Sequence, residues 1–457
     1  MDAFPLRATV IFSAVNRKKL PIHPLRNVFS TRFETAASLN QQFNDNKGRQ
    51  QNKKRKVIVI SGPTGVGKSS LALQLAKRLG GEIISADSVQ VYRGLDVGSA
   101  KTLLTDRQHI PHHLLDILHP TEEYSAGRFF SDAREVTETV LDKGHVPIVV
   151  GGSGLYIRWY VYGMPAIPAA SSEITSKIKD ELRMIKGNGD WDAAVELLLK
   201  AGDSTAINVE RNDWYRIQRG LEIIEAARVP RSSFPVPYDI FKEKEASITT
   251  VSSFNNIYQE DETAKSSFTH LDYEFLCFFL SVQRTELYKK IDQRCEEMLI
   301  GSNGLLAEAS WLLDMGILLN TRMASRAIGY RQAMDYLIDC RQAGGESSTE
   351  KFFTFLSGFQ KASRNFAKQQ ITWFRNEPLY YWLDASQPLE NIVNFIADAY
   401  YDSFDASTYE SLKMVKSISR KETKDLKQYR SQNRYFVNSI DCASVLNWIR
   451  STQCGRN

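Results

Sequence analysis

Histidine runs out early in this 457-residue chain: the last of seven is His270, which excludes a Cys2His2 zinc site from the C-terminal third. Cysteine is scarcer still. The five, at Cys277, Cys295, Cys340, Cys442 and Cys454, are scattered without a CxxC pair. That pattern excludes a secreted disulfide framework and predicts mostly buried thiols in a reducing compartment. No stretch approaches the ~20 apolar residues that span a bilayer, so no membrane association is expected. Neither sign of charge dominates: 58 Lys and Arg face 53 Asp and Glu, a net +5 that permits a polyanionic partner without requiring one. Acid is short in residues 1–55, where Asp2, Glu34 and Asp45 stand against Arg7, Arg17, Lys18, Lys19, Arg26 and Arg32 among Ser, Thr and Ala. The composition reads as an organellar transit peptide, a plastid ahead of a mitochondrion; the alternative is a disordered arm on a cytoplasmic protein.

What the chain does have is organised around Val57–Tyr92. The run Val57–Ile60 is β-branched and continuous, as in a strand buried on both faces of a parallel sheet. Gly62, Pro63, Thr64, Gly65, Val66, Gly67, Lys68 and Ser69 then fit G-x-x-x-x-G-K-S/T, a phosphate-binding loop. Glycines let backbone N–H groups close around a di- or triphosphate at a helix N-terminus, where the helix dipole is favourable. Lys68 adds a point charge, and the Ser69 hydroxyl is placed to ligate Mg²⁺. A helix follows on Leu71, Leu73, Leu75, Ala76 and Leu79, closed by Gly80 and Gly81. The loop alone does not say whether the phosphates belong to a nucleotide.

Strand, helix, strand, helix, strand continues to about residue 165, with strands at Glu82–Ala86 and Val146–Val150 and an amphipathic helix from Phe129 to Leu141. Repeated βα units predict an α/β fold: a P-loop NTPase-like parallel sheet with helices on both faces, plus an α-helical insert and C-terminal helices. Ligands then gather at the carboxyl ends of the strands, where the phosphate loop, Asp87 and Ser153 all lie. The expected organisation is an arm at 1–55, a catalytic region at 56–400 and a polar, loosely ordered tail at 401–457. Within the catalytic region a helical insert is expected at about 168–228 and a surface loop at about 231–270. A solvated strand edge is expected of the basic cluster Lys53–Lys56, and core packing of Phe352, Phe353, Phe355, Phe359 and Phe366.

One acid is missing and another stands elsewhere. Loops that hydrolyse nucleotides pair with a strand ending in Asp or Glu that holds the magnesium water shell. Here Val146–Val150 ends in glycines and Ser153. The acid at a strand end is Asp87, which could hold Mg²⁺, take a proton from a nucleophile, or cap the next turn.

Eight segments in colinear order resemble the tRNA dimethylallyltransferases, also called tRNA isopentenyltransferases. They are GPTGVGKS at 62–69, ISADSVQVYRGLDVGSAK at 84–101, HHLLDILHP at 112–120, YSAGRF at 124–129, VVGGSGLY at 149–156, DWYRIQRGLEI at 213–223, AIGYRQAMDYL at 327–337 and AKQQITWFR at 367–375. The resemblance implies transfer of a dimethylallyl group from dimethylallyl diphosphate to N6 of the adenosine 3′ of the anticodon. Cis-zeatin-type cytokinins would follow from the modified tRNA. It implies that Lys68 and the loop amides hold the diphosphate with Mg²⁺ at Ser69, that Arg216 and Arg219 assist, and that Asp87 accepts the N6 proton. Ser153 stands where the family has Thr, keeping the hydroxyl. By the same resemblance the tRNA anticodon stem-loop meets Asp87, Ser88, Val89, Gln90, Gly329, Tyr330, Arg331, Gln332, Lys368 and Arg375. Gln369 replaces a commoner Arg. His112 and His113 read as structural, and a monomer is expected. The rival enzyme is an adenylate isopentenyltransferase, which prenylates a free nucleotide; a P-loop kinase and a non-catalytic RNA-binding protein are weaker rivals.

Overall fold

The computed structural model describes residues 55–252 and 271–456. The transit-peptide expectation and the far part of the 231–270 loop therefore lie outside the described residues. Six strands form one sheet: β1 (Lys56–Ser61), β2 (Gly81–Ala86), β3 (His112–His113), β4 (Val146–Gly151), β5 (Glu274–Ser281) and β6 (Tyr380–Asp384). Their order is β3-β2-β4-β1-β5-β6 and every pairing is parallel. β1, β2 and β4 are buried along their whole length, which is why their apolar residues run on rather than alternate. The register sets Ser61 beside both Gly151 and Phe279, so neighbouring strands finish together and one edge collects the loops.

Helices cover both faces. α1 (Lys68–Leu79) buries Leu71, Ala72, Leu75, Ala76 and Leu79 and stops at Gly80, whose φ of 62° lets its N–H reach the Ala76 carbonyl. α2 (Ala126–Asp142) starts where the Ser125 hydroxyl accepts the Arg128 N–H, and α3 (Gly154–Tyr162) follows β4. The insert is α4 (Ser172–Gly187), α5 (Trp191–Lys200) and α6 (Trp214–Ala227). It has its own core of Ile178, Leu182, Trp191, Ala194, Leu198, Ile217 and Leu221, with Trp191 edge-on to Trp214 at 5.3 Å.

Three expectations change. Pro237 does not extend a loop. It opens α7 (Pro237–Ser252), because a fixed φ and a missing N–H suit a first helical turn. Tyr238 and Phe241 of that turn pack on Tyr162 at 5.1 and 5.0 Å. Second, Lys56 is buried rather than solvated: its ammonium reaches the Tyr400 carbonyl at 2.8 Å and pairs with Asp402, while Arg55 pairs with Glu138 and Asp142. Third, the tail is docked. After α8 (Arg284–Glu297), α9 (Tyr330–Gln342) and α10 (Thr349–Arg375) come α11 (Ala406–Leu412), α12 (Arg420–Gln428) and α13 (Ala443–Gln453).

Buried carboxylates hold this tail, which composition alone did not reveal. Glu296 is fully buried and accepts the N–H groups of Arg434, Tyr435 and Phe436 at 2.9–3.2 Å. Asp292, equally enclosed, accepts the Tyr429 hydroxyl at 2.8 Å and pairs with Arg364. Phe436, Cys442, Val445 and Ile449 then fill the core beside them.

Four of the five cysteines are buried and all are free. No described helix is long and apolar enough to cross a membrane.

Candidate active site

The carboxyl ends of β1, β4 and β2 open onto a cavity of about 350 Å³. Thr64, Gly65, Gly67, Lys68 and Ser69 form one wall, Gly151 and Gly152 another, and Ser85, Asp87 and Gln90 a third. Lys68 lies within the loop it belongs to, donating to the Gly62 and Pro63 carbonyls at 2.9 Å each. Burial, and then the nearby Arg294 guanidinium, push its pKa down to about 8, with Asp87 opposing them.

Arg294 was not anticipated. It comes from α8, more than 200 residues beyond the loop, and its Nη1 donates to the Thr64 hydroxyl at 3.3 Å. Burial lowers its pKa as well. Lys68 and Arg294 thus bring two cations to the same cavity, with the Asp87 carboxylate close enough to act on both. The sequence signal was only an Arg in an amphipathic helix.

Gln370 stands in the AKQQITWFR segment, between the Lys368 and Arg375 expected to meet RNA, yet it braces the loop. Its Oε1 accepts the Thr64 N–H at 2.9 Å and its Nε2 donates to the Gly152 carbonyl at 3.1 Å. A Cβ on Gly152 would come within 2.2 Å of that Nε2, so the close approach requires glycine.

Asp87 both caps a turn and faces the cavity. Its Oδ1 accepts the Val89 and Gln90 N–H groups at 2.8 and 3.2 Å, which leaves Oδ2 without a hydrogen bond among the described residues. The Gln90 side chain is engaged too, accepting the Ser85 hydroxyl and donating to the Ser99 carbonyl. The Ser153 hydroxyl accepts the Ser88 N–H at 3.3 Å. His113 is structural as expected, bonded to Glu82 at 2.6 Å. His112, hydrogen-bonded in the same crossover as expected, lines the cavity as well. Its Nδ1 must donate to the Ile110 carbonyl at 2.8 Å, so Nε2 is a bare acceptor, buried without a partner.

A second cavity of about 290 Å³ shares Thr64, Asp87, Ser99, Arg294 and Phe366 with the first. Its remaining lining is more apolar and includes Val89, Ile291, Met298, Met323, Ile328 and Phe359, with Ser88 and Ser153 at the Asp87 end. Phe366, expected in the core, is instead half-buried where the two cavities meet; Phe353 is half-buried as well.

Other expected residues fall apart from this site. Arg216 and Arg219 line neither cavity and are engaged on the insert with Asp213 and Glu222 at 3.1 and 3.2 Å. Tyr330 is fully buried and donates to Glu308, so it packs the core rather than meeting RNA. Glu308 in turn accepts the N–H groups of Asp96, Val97 and Gly98. Gly329 and Gln332 bond each other at the start of α9. Arg331 and Lys368 are exposed, and Arg375 is half-buried with an unpartnered Nε.

A parallel α/β sheet that feeds a phosphate loop, and places its acid at the end of β2 rather than β4, defines a group-transfer enzyme of the P-loop type. The comparisons narrow the class. The IPP transferase model matches residues 90–377 and the Isopentenyl transferase model residues 55–115. tRNA dimethylallyltransferase 9 of Arabidopsis thaliana is 52% identical over 95% of this chain and 94% of its own length. The tRNA dimethylallyltransferase of Protochlamydia amoebophila is 37% identical over 73% of this chain and 85% of its own. The crystal structure of a tRNA isopentenylpyrophosphate transferase from Staphylococcus epidermidis superposes with a TM-score of 0.50 at 27% identity, covering 76% of this chain and 99% of that one. The chain belongs to the tRNA dimethylallyltransferase (IPP transferase) family and is a prenyltransferase.

Proposed function

We propose that this chain transfers the dimethylallyl group of dimethylallyl diphosphate to N6 of adenosine 37, just 3′ of the anticodon in tRNA, acting as a monomer. Its modified tRNA would be a source of cis-zeatin-type cytokinins. The observation that carries the reading is the meeting of a cation-lined polar cavity and a more apolar cavity at one carboxylate, Asp87.

The diphosphate occupies the polar cavity, held by the loop amides, Lys68 and Arg294. The adenine enters the other cavity, extruded from its loop so that its faces meet Phe366 and the aliphatic side chains. N6 then attacks C1 of the allyl group, and the C1–O bond breaks with its electron pair leaving on the diphosphate. Lys68 and Arg294 stabilise that developing charge, and Asp87 Oδ2 takes the N6 proton.

The Ser69 hydroxyl lines the cavity without a hydrogen bond among the described residues. Magnesium takes such oxygen donors, so Ser69 would hold Mg²⁺, which supplies Lewis-acid charge to the leaving group. Gln370 keeps the loop shaped, and Ser153 steadies the turn after Asp87 through the Ser88 N–H.

The test is transfer of labelled dimethylallyl to an anticodon stem-loop, read by nucleoside mass spectrometry. Adenosine at position 37 is prenylated and guanosine is not, because only adenine offers the N6 amine. Equal or better transfer to free AMP, ADP or ATP would replace this reading with the adenylate isopentenyltransferase.

A further inference from the structure

The C-terminal extension carries a cationic face that the reaction does not use. The matched family region ends at residue 377. Beyond it, α12 buries no residue, and its sequence RKETKDLKQ has Leu426 as its single apolar side chain. Arg420, Lys421, Lys424 and Lys427 are exposed, and none has an ion pair among the described residues. Arg420, Lys424 and Lys427 follow the i, i+4, i+7 spacing of one helix face, so they stand in a row.

The acids of α12 do not cancel this row. Glu422 is turned inward, accepting the Arg284 N–H at 2.9 Å at the start of α8. That leaves Asp425 as the one exposed acid of the helix. A helix without an apolar face is poorly made to enter a lipid surface. It suits a polyanion whose charges lie along a line.

Two features show that the face is fixed and where it leads. Tyr429, just after α12, is edge-on to Tyr288 at 5.5 Å and bonded to Asp292, both on α8. The next residues lie against α10: Ser431 accepts from Arg364 at 2.8 Å and Asn433 from Gln360 at 3.0 Å. Arg430 and Arg434, both exposed, therefore sit between α12 and the outer side of α10, where Lys361, Asn365 and Lys368 are exposed too. The exposed cations of this stretch are thus Arg434 and Arg430, then Lys427, Lys424, Lys421 and Arg420 on α12, with Lys361 and Lys368 exposed on α10.

We propose that this band binds the phosphodiester backbone of the tRNA, with α12 extending the RNA-binding surface beyond the family region. The proposal rests on tRNA being the acceptor. α12 is then a grip on the backbone and carries no sequence information. Its contribution is electrostatic and is lost with salt.

The experiment measures binding of full-length substrate tRNA to the whole protein at several KCl concentrations. Wild type is compared with Lys421→Glu/Lys424→Glu/Lys427→Glu and, separately, with Arg430→Ala. Each lost phosphate contact lowers the log–log salt slope by about 0.7–0.9. The triple variant is expected to lose about two units of slope and to raise the KM for tRNA at least tenfold. Its kcat should stay within twofold, and its affinity for dimethylallyl diphosphate and its thermal midpoint should match wild type. Arg430→Ala is expected to lose about one unit. Wild-type slope and KM in both variants, with active enzyme, overturn this proposal and leave the acceptor assignment standing. So does capture of anionic phosphatidylserine vesicles by α12 with an unchanged RNA slope. A wild-type protein that neither binds nor prenylates tRNA overturns both.

Discussion

The two cavities that meet at Asp87 are built in opposite ways. The polar one draws most of its lining from residues 64–115 and 150–152, chain segments tied to four neighbouring strands. Its shape follows from strand register, and much of its chemistry is backbone N–H and short polar side chains. The more apolar one is assembled from Ile291–Met298 on α8, Met323–Ile328 before α9 and Phe359–Phe366 on α10. Strand ends supply just the side that carries Thr64, Asp87 and Ser153. Its α8 wall is held from behind by Asp292 and Glu296, which grip the C-terminal extension. The polar cavity is thus largely local in sequence, apart from Arg294, Phe366 and Gln370, whereas the more apolar one depends on packing between distant parts of the chain.

The largest expected effect falls where the cavities touch. Asp87→Asn keeps an oxygen for the Val89 and Gln90 N–H groups, so the turn survives, but it removes the proton acceptor. Turnover should drop by about 10²–10⁴-fold with donor and tRNA affinities nearly unchanged. Near wild-type kcat at saturating substrates would remove Asp87 from the mechanism.

The next tests the packed side. Glu296→Ala leaves the N–H groups of residues 434–436 without their shared acceptor in a buried site. A loss of about 3 kcal/mol of stability follows, and Glu296→Gln, which keeps one acceptor oxygen, should lose less. Urea unfolding monitored by tryptophan fluorescence checks this. A midpoint unmoved by the alanine would mean that the tail does not brace α8.

The same contrast explains what could be read from the sequence. The strands at 57–60, 82–86 and 146–150, the phosphate loop, the helix closed by Gly80 and the helical insert were legible because period, glycine and motif act over a few residues. Arg294 was not, since nothing near it in the chain indicates that α8 folds over the loop. Gln370 was placed in a segment read as RNA-contacting, while its bonds run to Thr64 and Gly152. The tail read as loose because its polarity is high. Its order comes from a few buried anchors, chiefly Glu296 and Asp292, whose charge made them look like surface residues. The two-residue β3 escaped because it is too short to show a pattern, and β6 because its YYWLD carries no β-branched residue of the kind that marked the other strands.

On the polar side, Gln370→Ala should weaken donor binding and kcat/KM by about tenfold, the scale of one or two lost hydrogen bonds at a loop that must keep its shape. Gly152→Ala should match it, because its Cβ would displace the same side chain. Isothermal titration with a non-reactive analogue of the donor would expose a wrong assignment if both variants bound it as wild type does.

The smallest effect is one of pH, and it isolates the pairing of Lys68 with Arg294. With its pKa pushed down to about 8, Lys68 loses its proton within an accessible range. A diphosphate binds the charged form better, so donor affinity should fall as pH rises through 8, by about tenfold between pH 7 and pH 9. Folding stability should move the other way. Between pH 8 and the ordinary lysine value the unfolded chain holds a proton that the folded chain has given up. Stability of the empty protein therefore rises across that window, as the strain of a buried cation is relieved. Arg294→Met removes a neighbouring positive charge, so Lys68 should titrate higher and the pH at which donor affinity begins to fall should move up. Its affinity at pH 7 should nevertheless be lower, since one of the two cations is gone. Lys68→Arg should flatten the profile altogether, because guanidinium stays charged throughout. An unchanged pH profile in both variants would show that some other group titrates, and that the two cations do not share the diphosphate.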